Sequence, residues 1–337
     1  MKLKYPIFIT FLFFALYACE TDNKKYFAGD FAAPEIESPA SGSRVLLTEA
    51  TAADLLTVSW DSARFGFPAA LTYTVQIAKA GTYFESAVKI AETKESRAEI
   101  DYATLNNSVL IAGLVPETPT PVELRVSANI NTHIETLYSE PVTITVTAYN
   151  VAVVYPILFV PGSYQGWNPG DSATIVTSPK ADEIYEGYFY FPANTEFKFT
   201  GQPAWDPLNW GEGGNGKLQE KAGNIRVNQA GYYKVVANIR QLTYTLIPVS
   251  WQVEGSAVPG NSQPLTYNEN DRTLEITAHF NAGGLVFKEK GAGNRVLGIY
   301  FGHQLTDDGT EILIPQSGTY TLTLDLKKYP YTFSLKN

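Results

Sequence analysis

Apolar and polar residues alternate along most of the chain, with the two-residue period of strands that have one buried face. Between residues 31 and 148 this pattern predicts five short strands bounded by turn residues, at positions 55–60, 71–78, 109–112, 122–128 and 142–148. In the first of these, Leu56, Val58 and Trp60 share one face. We therefore expect Trp60 to point into a core rather than toward a ligand.

The remaining residues contain a similar pattern twice. A segment that reaches Gly231 matches a segment that reaches Gly318, 87 positions later. Upstream, Phe197 matches Phe287 at a distance of 90 positions, and Gly162 matches Gly255 at a distance of 93. The predicted strands agree while the loops differ in length, which indicates two copies of one small sandwich.

These patterns predict an all-β protein. In residues 31–148, the run Leu-Thr-Val-Ser-Trp-Asp and the next predicted strand resemble the paired strands of fibronectin type III domains, so we expect an immunoglobulin/fibronectin III-like sandwich there. The two copies would be tandem β-sandwich modules at residues 149–249 and 250–337. The chain has one cysteine, which excludes the disulfide-stapled immunoglobulin form.

The first residues have the features of an export signal. Lys2 and Lys4 precede an apolar run that is too short to span a bilayer as a helix. The run ends in Leu-Tyr-Ala followed by Cys19, which resembles the lipobox of bacterial lipoproteins. We expect a signal peptide at residues 1–18, lipidation of Cys19 and a polar tether at residues 19–30. The alternative is an ordinary secreted protein with an incidental cysteine.

Composition narrows the range of partners. Charged residues make up 18% of the chain and the formal net charge is −9. Nucleic acid and anionic membrane surfaces are therefore poor partners, and we expect membrane contact through the lipid anchor only. We expect no cofactor and no metal, because the three histidines are far apart in sequence and the single cysteine is assigned to lipidation.

Tryptophans supply the candidate chemistry. Trp167, Trp205 and Trp210 lie beside Gly, Pro or Asn residues, where the strand pattern breaks into turns. Tryptophans on loops of a rigid β-scaffold can meet a flat, partly apolar ligand, such as a sugar ring. Trp251 instead opens a predicted strand, and we expect it in a core.

The order of these features resembles a known family. A lipobox and an immunoglobulin-like domain precede tandem sandwiches with Gly-Ser-x-x-Gly-Trp at residues 162–167, Phe-Lys-Phe at residues 197–199 and a Trp-(x4)-Trp-Gly loop at residues 205–211. This layout resembles the SusE/SusF starch-binding outer-membrane lipoproteins of Bacteroidetes, and two sandwiches are closer to SusE. The resemblance implies carbohydrate-binding modules without catalytic activity, a cell-surface location and association with an outer-membrane glycan transporter.

The resemblance also assigns roles to residues. Trp167 and Trp210 would stack on the sugar rings of starch or another α-glucan, and Trp205 is the next candidate for the same role. One of Trp205 and Trp210 could instead fill the core. Lys198 would bond sugar hydroxyls, or it is a plain solvated lysine. Weaker candidates for glycan binding are Asn209, Lys217, Asn224 and Arg226.

The second copy departs from this pattern. Gly260 stands where the first copy has Trp167, and Leu297 stands where it has Trp210. The C-terminal module has therefore lost its site or built another platform from Tyr300, Phe301 and His303.

Other functions remain open. A glycosidase needs two positioned carboxylates, and Asp206 and Glu212 lie in the tryptophan-rich segment. Acidic surfaces offer such pairs by chance, so we do not expect an enzyme. The alternatives are a surface adhesin or structural lipoprotein, and a binder of a different neutral polysaccharide.

Overall fold

The computed structural model describes residues 31–131, 133–291, 293–307 and 309–337. Strands dominate this part of the chain, which confirms the all-β prediction. The expected signal peptide, Cys19 and the tether lie outside the described residues. None of the described helices is long and apolar enough to cross a membrane.

Two sheets enclose one core in residues 31–148, which we call the N-terminal domain. Its strands are β1 (Phe31–Ala32), β2 (Glu35–Ser38), β3 (Arg44–Leu46), β4 (Leu55–Asp61), β5 (Arg64–Phe65), β6 (Thr72–Lys79), β7 (Val88–Thr93), β8 (Arg97–Asp101), β9 (Thr120–Asn129), β10 (Leu137–Tyr138) and β11 (Val142–Thr147). One sheet has the order β2-β4-β8 and the other the order β3-β11-β9-β6-β7, with β10 paired to β9. Strands β1 and β5 form a separate pair.

The core of this domain confirms the prediction for Trp60. Its side chain is 2% exposed and packs at 5.3 Å from the ring of Tyr73. The two residues come from opposite sheets, β4 and β6, so the pair joins the sheets through aromatic contact.

The predicted strand at residues 109–112 is wrong, because this segment belongs to helix α1 (Tyr102–Ile111). Asp101 caps the helix by accepting a hydrogen bond from the backbone N–H of Thr104. Leu105 and Val109, one helical turn apart, are fully buried in the core. Gly113 follows the helix with a φ of +86°, a conformation that favours glycine and ends helices.

Residues 149–249, which we call the first module, form a sheet of eight strands and a pair of two. The strands are β12 (Ile157–Phe159), β13 (Ile175–Thr177), β14 (Ile184–Phe191), β15 (Thr195–Phe197), β16 (Phe199–Gln202), β17 (Ala204–Glu212), β18 (Leu218–Glu220), β19 (Ile225–Val227), β20 (Gly231–Asn238) and β21 (Thr243–Pro248). The large sheet has the order β18-β17-β16-β12-β13-β14-β20-β21, and β15 pairs with β19.

Residues 250–337, the second module, form a ten-stranded sheet. The strands are β22 (Ser250–Glu254), β23 (Ser262–Pro264), β24 (Thr266–Asn268), β25 (Thr273–Phe280), β26 (Gly283–Lys290), β27 (Val296–Phe301), β28 (Gln304–Asp307), β29 (Ile312–Ile314), β30 (Gly318–Asp325) and β31 (Thr332–Lys336). The order is β23-β22-β26-β27-β28-β31-β30-β25-β24, with β29 paired to β26.

The pairing of strands confirms the internal repeat. The ladders β14-β20-β21 and β12-β16-β17 of the first module recur as β25-β30-β31 and β22-β26-β27 of the second. A tyrosine hydroxyl donates to a backbone carbonyl four residues upstream in each copy: Tyr233 to Gln229 at 2.9 Å, and Tyr320 to Gln316 at 3.0 Å. The two tyrosines lie 87 positions apart, the same distance as between Gly231 and Gly318.

The two modules share part of their interior. Tyr188 of the first module belongs to the core of the second, where its ring packs edge-on against Trp251 at 5.5 Å. Its hydroxyl donates to the fully buried carboxylate of Glu289 at 2.5 Å. Trp251 is 1% exposed, which confirms its predicted place in a core.

Candidate functional site

Trp167 and Trp205, which we call the tryptophan pair, lie next to each other on the first module. Their ring centroids are 6.1 Å apart and the ring planes are inclined by 44°. Trp205 is 37% exposed and Trp167 is half-buried. The two rings therefore form a bent apolar surface that is partly open to solvent.

The loop that carries Trp167 is held by its own polar side chains. The backbone N–H of Trp167 donates to the carbonyl of Gly162 at 2.9 Å. The amide of Gln165 donates to the carbonyl of Asn168 at 2.6 Å and accepts from the N–H of Asn168 at 2.7 Å. These bonds fix the backbone on both sides of Trp167, which reduces the entropy that ligand binding has to remove.

Trp205 lies near the start of β17, in the hairpin of β16 and β17. The ladder between these strands shifts register between Thr200 and Gln202, so Trp205 lies beyond a bulge. The side-chain amide of Asn209 donates to the carbonyl of Trp205 at 2.8 Å. Asn209 is itself buried, so it positions the Trp205 backbone and does not offer its side chain to a ligand.

Trp210 is buried, with 5% of its side chain exposed, and belongs to the core of the first module. It faces Phe199 across the ladder, and directly opposite residues in an antiparallel pair point to the same side of the sheet. Phe199 points into the core, so Trp210 does as well. The expected stacking role of Trp210 is therefore incompatible with its position, and Trp205 is the residue that joins Trp167.

Lys198 lies between β15 and β16, beside the start of the loop that carries Trp167. Its backbone N–H donates to the carbonyl of Pro161 at 2.9 Å, and its neighbours Phe197 and Phe199 are fully buried. Strand alternation directs Lys198 to the opposite side, where burial lowers its pKa. Within the described ranges its ammonium has no ion pair or hydrogen bond, so it can donate to a ligand.

Two of the weaker candidates are already engaged with protein. The amide of Asn224 donates to the carboxylate of Glu196 at 3.0 Å, and Arg226 forms an ion pair with the same carboxylate. Lys217 is exposed in a turn, where its N–H donates to the carbonyl of Gly214 at 3.0 Å. The structure thus brings Trp167 and Trp205 together and pairs Asn224 and Arg226 with Glu196.

Among the described side chains of the second module, Tyr300 and His303 do not form a pair like Trp167 and Trp205. Tyr300 is 72% exposed, and the His303 ring lies at 5.4 Å from Phe333 rather than against Tyr300. In the part of the chain that the structure describes, no three His, Cys, Asp or Glu side chains are grouped so that they could hold a metal ion.

The sequence motifs did not indicate a role for Leu208. Leu208 is 44% exposed on the same strand as Trp205 and enlarges the apolar surface of the hairpin. The Gln165–Asn168 contact could have been anticipated, since both residues lie in the turn-rich segment around Trp167.

The fold and the tryptophan pair define an all-β protein with an exposed aromatic surface on one of two repeated modules. Residues 21–127 match the model of the SusE outer membrane protein family. This match covers most of the N-terminal domain and none of the two modules, and it supports a SusE-type classification and an outer-membrane location. No curated protein matches the chain.

Proposed function

We propose that the protein is a non-catalytic glycan-binding lipoprotein of the cell surface, and that the tryptophan pair is its binding site. The observation that carries the proposal is the pair itself, two indole rings at 6.1 Å that are held by loop hydrogen bonds and remain accessible. One face of a pyranose ring presents C–H groups, which pack against an indole ring, and its rim presents hydroxyls.

The angle between the rings favours an α-glucan such as starch or a malto-oligosaccharide. Successive glucose units of an α-1,4-linked chain follow a curve, whereas β-1,4-linked chains are flat. Coplanar rings would match a flat chain, and two rings inclined by 44° match a curved one. Lys198 follows β15 and would donate to a sugar hydroxyl, since none of the described carboxylates pairs with its ammonium.

The family match supports the cellular setting of this proposal. A SusE-type protein at the outer membrane would hold glycan near a transporter of the same polysaccharide-utilisation system. Lipidation of Cys19 would anchor it there. A single shallow site binds weakly, so retention of a long polymer would come from several protein copies that engage one chain.

The proposal is tested by titration of the full chain with maltoheptaose and with cellohexaose. We expect maltoheptaose to bind more tightly. Trp167→Ala and Trp205→Ala should each weaken its binding by about 2 kcal/mol or more, as for aromatic anchors at binding sites. This corresponds to a loss of affinity of more than about tenfold.

The matched control is Tyr83→Ala, since Tyr83 is an aromatic residue of the N-terminal domain that is 88% exposed. It should leave affinity unchanged. If maltoheptaose binds and both tryptophan variants bind it equally well, the site is elsewhere. If cellohexaose binds more tightly, the pair is a glycan site but the α-glucan assignment is wrong.

A further inference from the structure

A cavity lies where the two modules meet, apart from the tryptophan pair. Its volume is about 290 Å³, and residues of both modules line it. Tyr164, Tyr190 and Tyr232 come from the first module and Tyr267 from the second. The rings of Tyr190 and Tyr267 stack across the junction at 4.7 Å, and Tyr232 lies at 5.7 Å from Tyr267.

The tyrosine hydroxyls differ in their hydrogen bonds. Tyr164 donates to the carbonyl of Val160 at 2.6 Å. The hydroxyls of Tyr190, Tyr232 and Tyr267 make no hydrogen bond to any of the described residues, although all three side chains are half-buried. Burial raises the pKa of Tyr232 and Tyr267, so both remain protonated and able to donate at neutral pH.

The cations at the cavity are already neutralised. Arg272 pairs with Asp171 at 3.1 Å across the junction. Lys327 pairs with Asp325 at 3.2 Å and donates to the carbonyl of Asp271 at 2.8 Å. No free cation is left among these residues to attract a phosphate or a carboxylate, and the tyrosine walls offer apolar edges together with hydroxyl groups.

We propose that this cavity is a second ligand site, which takes one small neutral polyhydroxylated ring of hexose size. Tyrosine rings would pack against the C–H groups of such a ring, and the three available hydroxyls would bond its rim. A volume of about 290 Å³ lies at the lower limit of ligand pockets, roughly 300–1,000 Å³, so the site holds a single ring and not a polymer. This site goes beyond the proposed function, because it needs neither Trp167 nor Trp205.

The test uses the full chain in which both members of the tryptophan pair are replaced by alanine, so that the first site is removed. Binding of glucose, galactose and mannose is measured by ligand-observed nuclear magnetic resonance. We expect at least one hexose to bind. Tyr267→Phe, which keeps the stacked ring and removes the hydroxyl, should weaken that binding about three- to tenfold, the ordinary effect of one hydrogen bond.

Tyr232→Phe supplies a second variant, and Tyr83→Phe, in the N-terminal domain, is the control that should have no effect. If no hexose binds, or if both cavity variants bind like the parent, the proposal is wrong. Phenol serves as a probe with an aromatic ring and one hydroxyl. Binding of phenol without binding of any hexose would overturn the ligand class. Loss of maltoheptaose binding in the tryptophan variants bears only on the first site, so the two proposals fail separately.

Discussion

The two modules share two three-stranded ladders, but the equivalent hairpin makes different contacts in each. In the first module, the hairpin of β16 and β17 carries Trp205 toward solvent. In the second, the hairpin of β26 and β27 carries Arg295, which pairs with Glu186 of the first module and with Asp307. One copy thus exposes its hairpin to solvent, while the other uses it to attach to its neighbour.

The lysines at equivalent positions show the same difference. Lys198 has no ionic partner in the described structure, whereas Lys288 pairs with Glu254 at 2.8 Å. Glu254 stands where the first module has Pro161, which has no charge. Because the Lys288 ammonium is already satisfied, a sugar hydroxyl would have to displace a carboxylate to reach it. The second module therefore keeps the lysine, but its ammonium is not free to bond a ligand.

The largest expected effect is on stability and distinguishes the core tryptophan, Trp210, from the exposed one, Trp205. Trp210→Ala should lower the free energy of unfolding by about 3–5 kcal/mol, the usual range for aromatic-to-alanine changes in cores. Trp205→Ala, 37% exposed, should cost about 1 kcal/mol or less. Urea unfolding followed by tryptophan fluorescence measures both. Equal losses for the two variants would contradict the assignment of one to the core and one to the surface.

The next largest expected effect is a loss of stability at the contact between the β26–β27 hairpin and the first module. Arg295→Met removes one of the two cationic partners of Glu186, and Lys234 remains, at a site where the side chains of Arg295 and Glu186 are less than a fifth exposed. Loss of one partner of a buried pair costs about 3–5 kcal/mol, and partial solvent access at this site reduces the expected cost to about 2 kcal/mol. Thermal unfolding measures it. Lys290→Met, whose partner pair is more exposed, is the matched control and should change stability little.

Acid should weaken the same junction. Burial alone would raise the pKa of Glu186, but the charges of Arg295 and Lys234 outweigh it and hold the pKa below its usual value of 4.5. A carboxyl with a lowered folded pKa stabilises fully above its unfolded value and loses this contribution as pH falls through the folded value. The melting temperature should therefore fall below pH 4.5, and fall less in Glu186→Gln. An identical pH profile for both proteins would refute this.

The smallest effect concerns the two lysines. Lys198→Ala removes a donor to a neutral hydroxyl, which should weaken maltoheptaose binding by about 0.5–1.5 kcal/mol. Lys288→Ala removes an ammonium that Glu254 already engages and should leave affinity unchanged. Isothermal titration of both variants in the full chain compares them. A larger loss for Lys288→Ala would show that the second module holds the main site.

Local patterns predicted much of this fold. The two-residue period predicted four of the eleven strands of the N-terminal domain, β4, β6, β9 and β11, because it depends on residues close in sequence. Self-similarity of the sequence predicted the repeat. Helix α1 was missed since a short apolar run at residues 109–112 fits either periodicity. Its signals, the cap at Asp101 and the glycine at position 113, lie outside that run.

The remaining features of the site and the module junction depend on contacts between residues that are far apart in sequence. The choice between Trp205 and Trp210 depends on the pairing of β16 with β17, which sets Trp210 opposite the buried Phe199 and leaves Trp205 beyond the bulge. The contact of Tyr188 with Glu289 joins residues 101 positions apart, and a buried glutamate has no signature in a strand pattern. The inclination of the two indole rings likewise follows from how two separate loops meet.

The shared interior of the two modules limits how the chain can be shortened or exchanged. A chain cut after Val249 would leave Tyr188 on the surface without Glu289, and an isolated second module would keep Glu289 buried without its donor. Removal of one member of such a pair is costly, because the other remains desolvated and unbonded. The two modules therefore cannot be separated without loss of this buried contact. Gene fusions and truncations should keep residues 149–337 together.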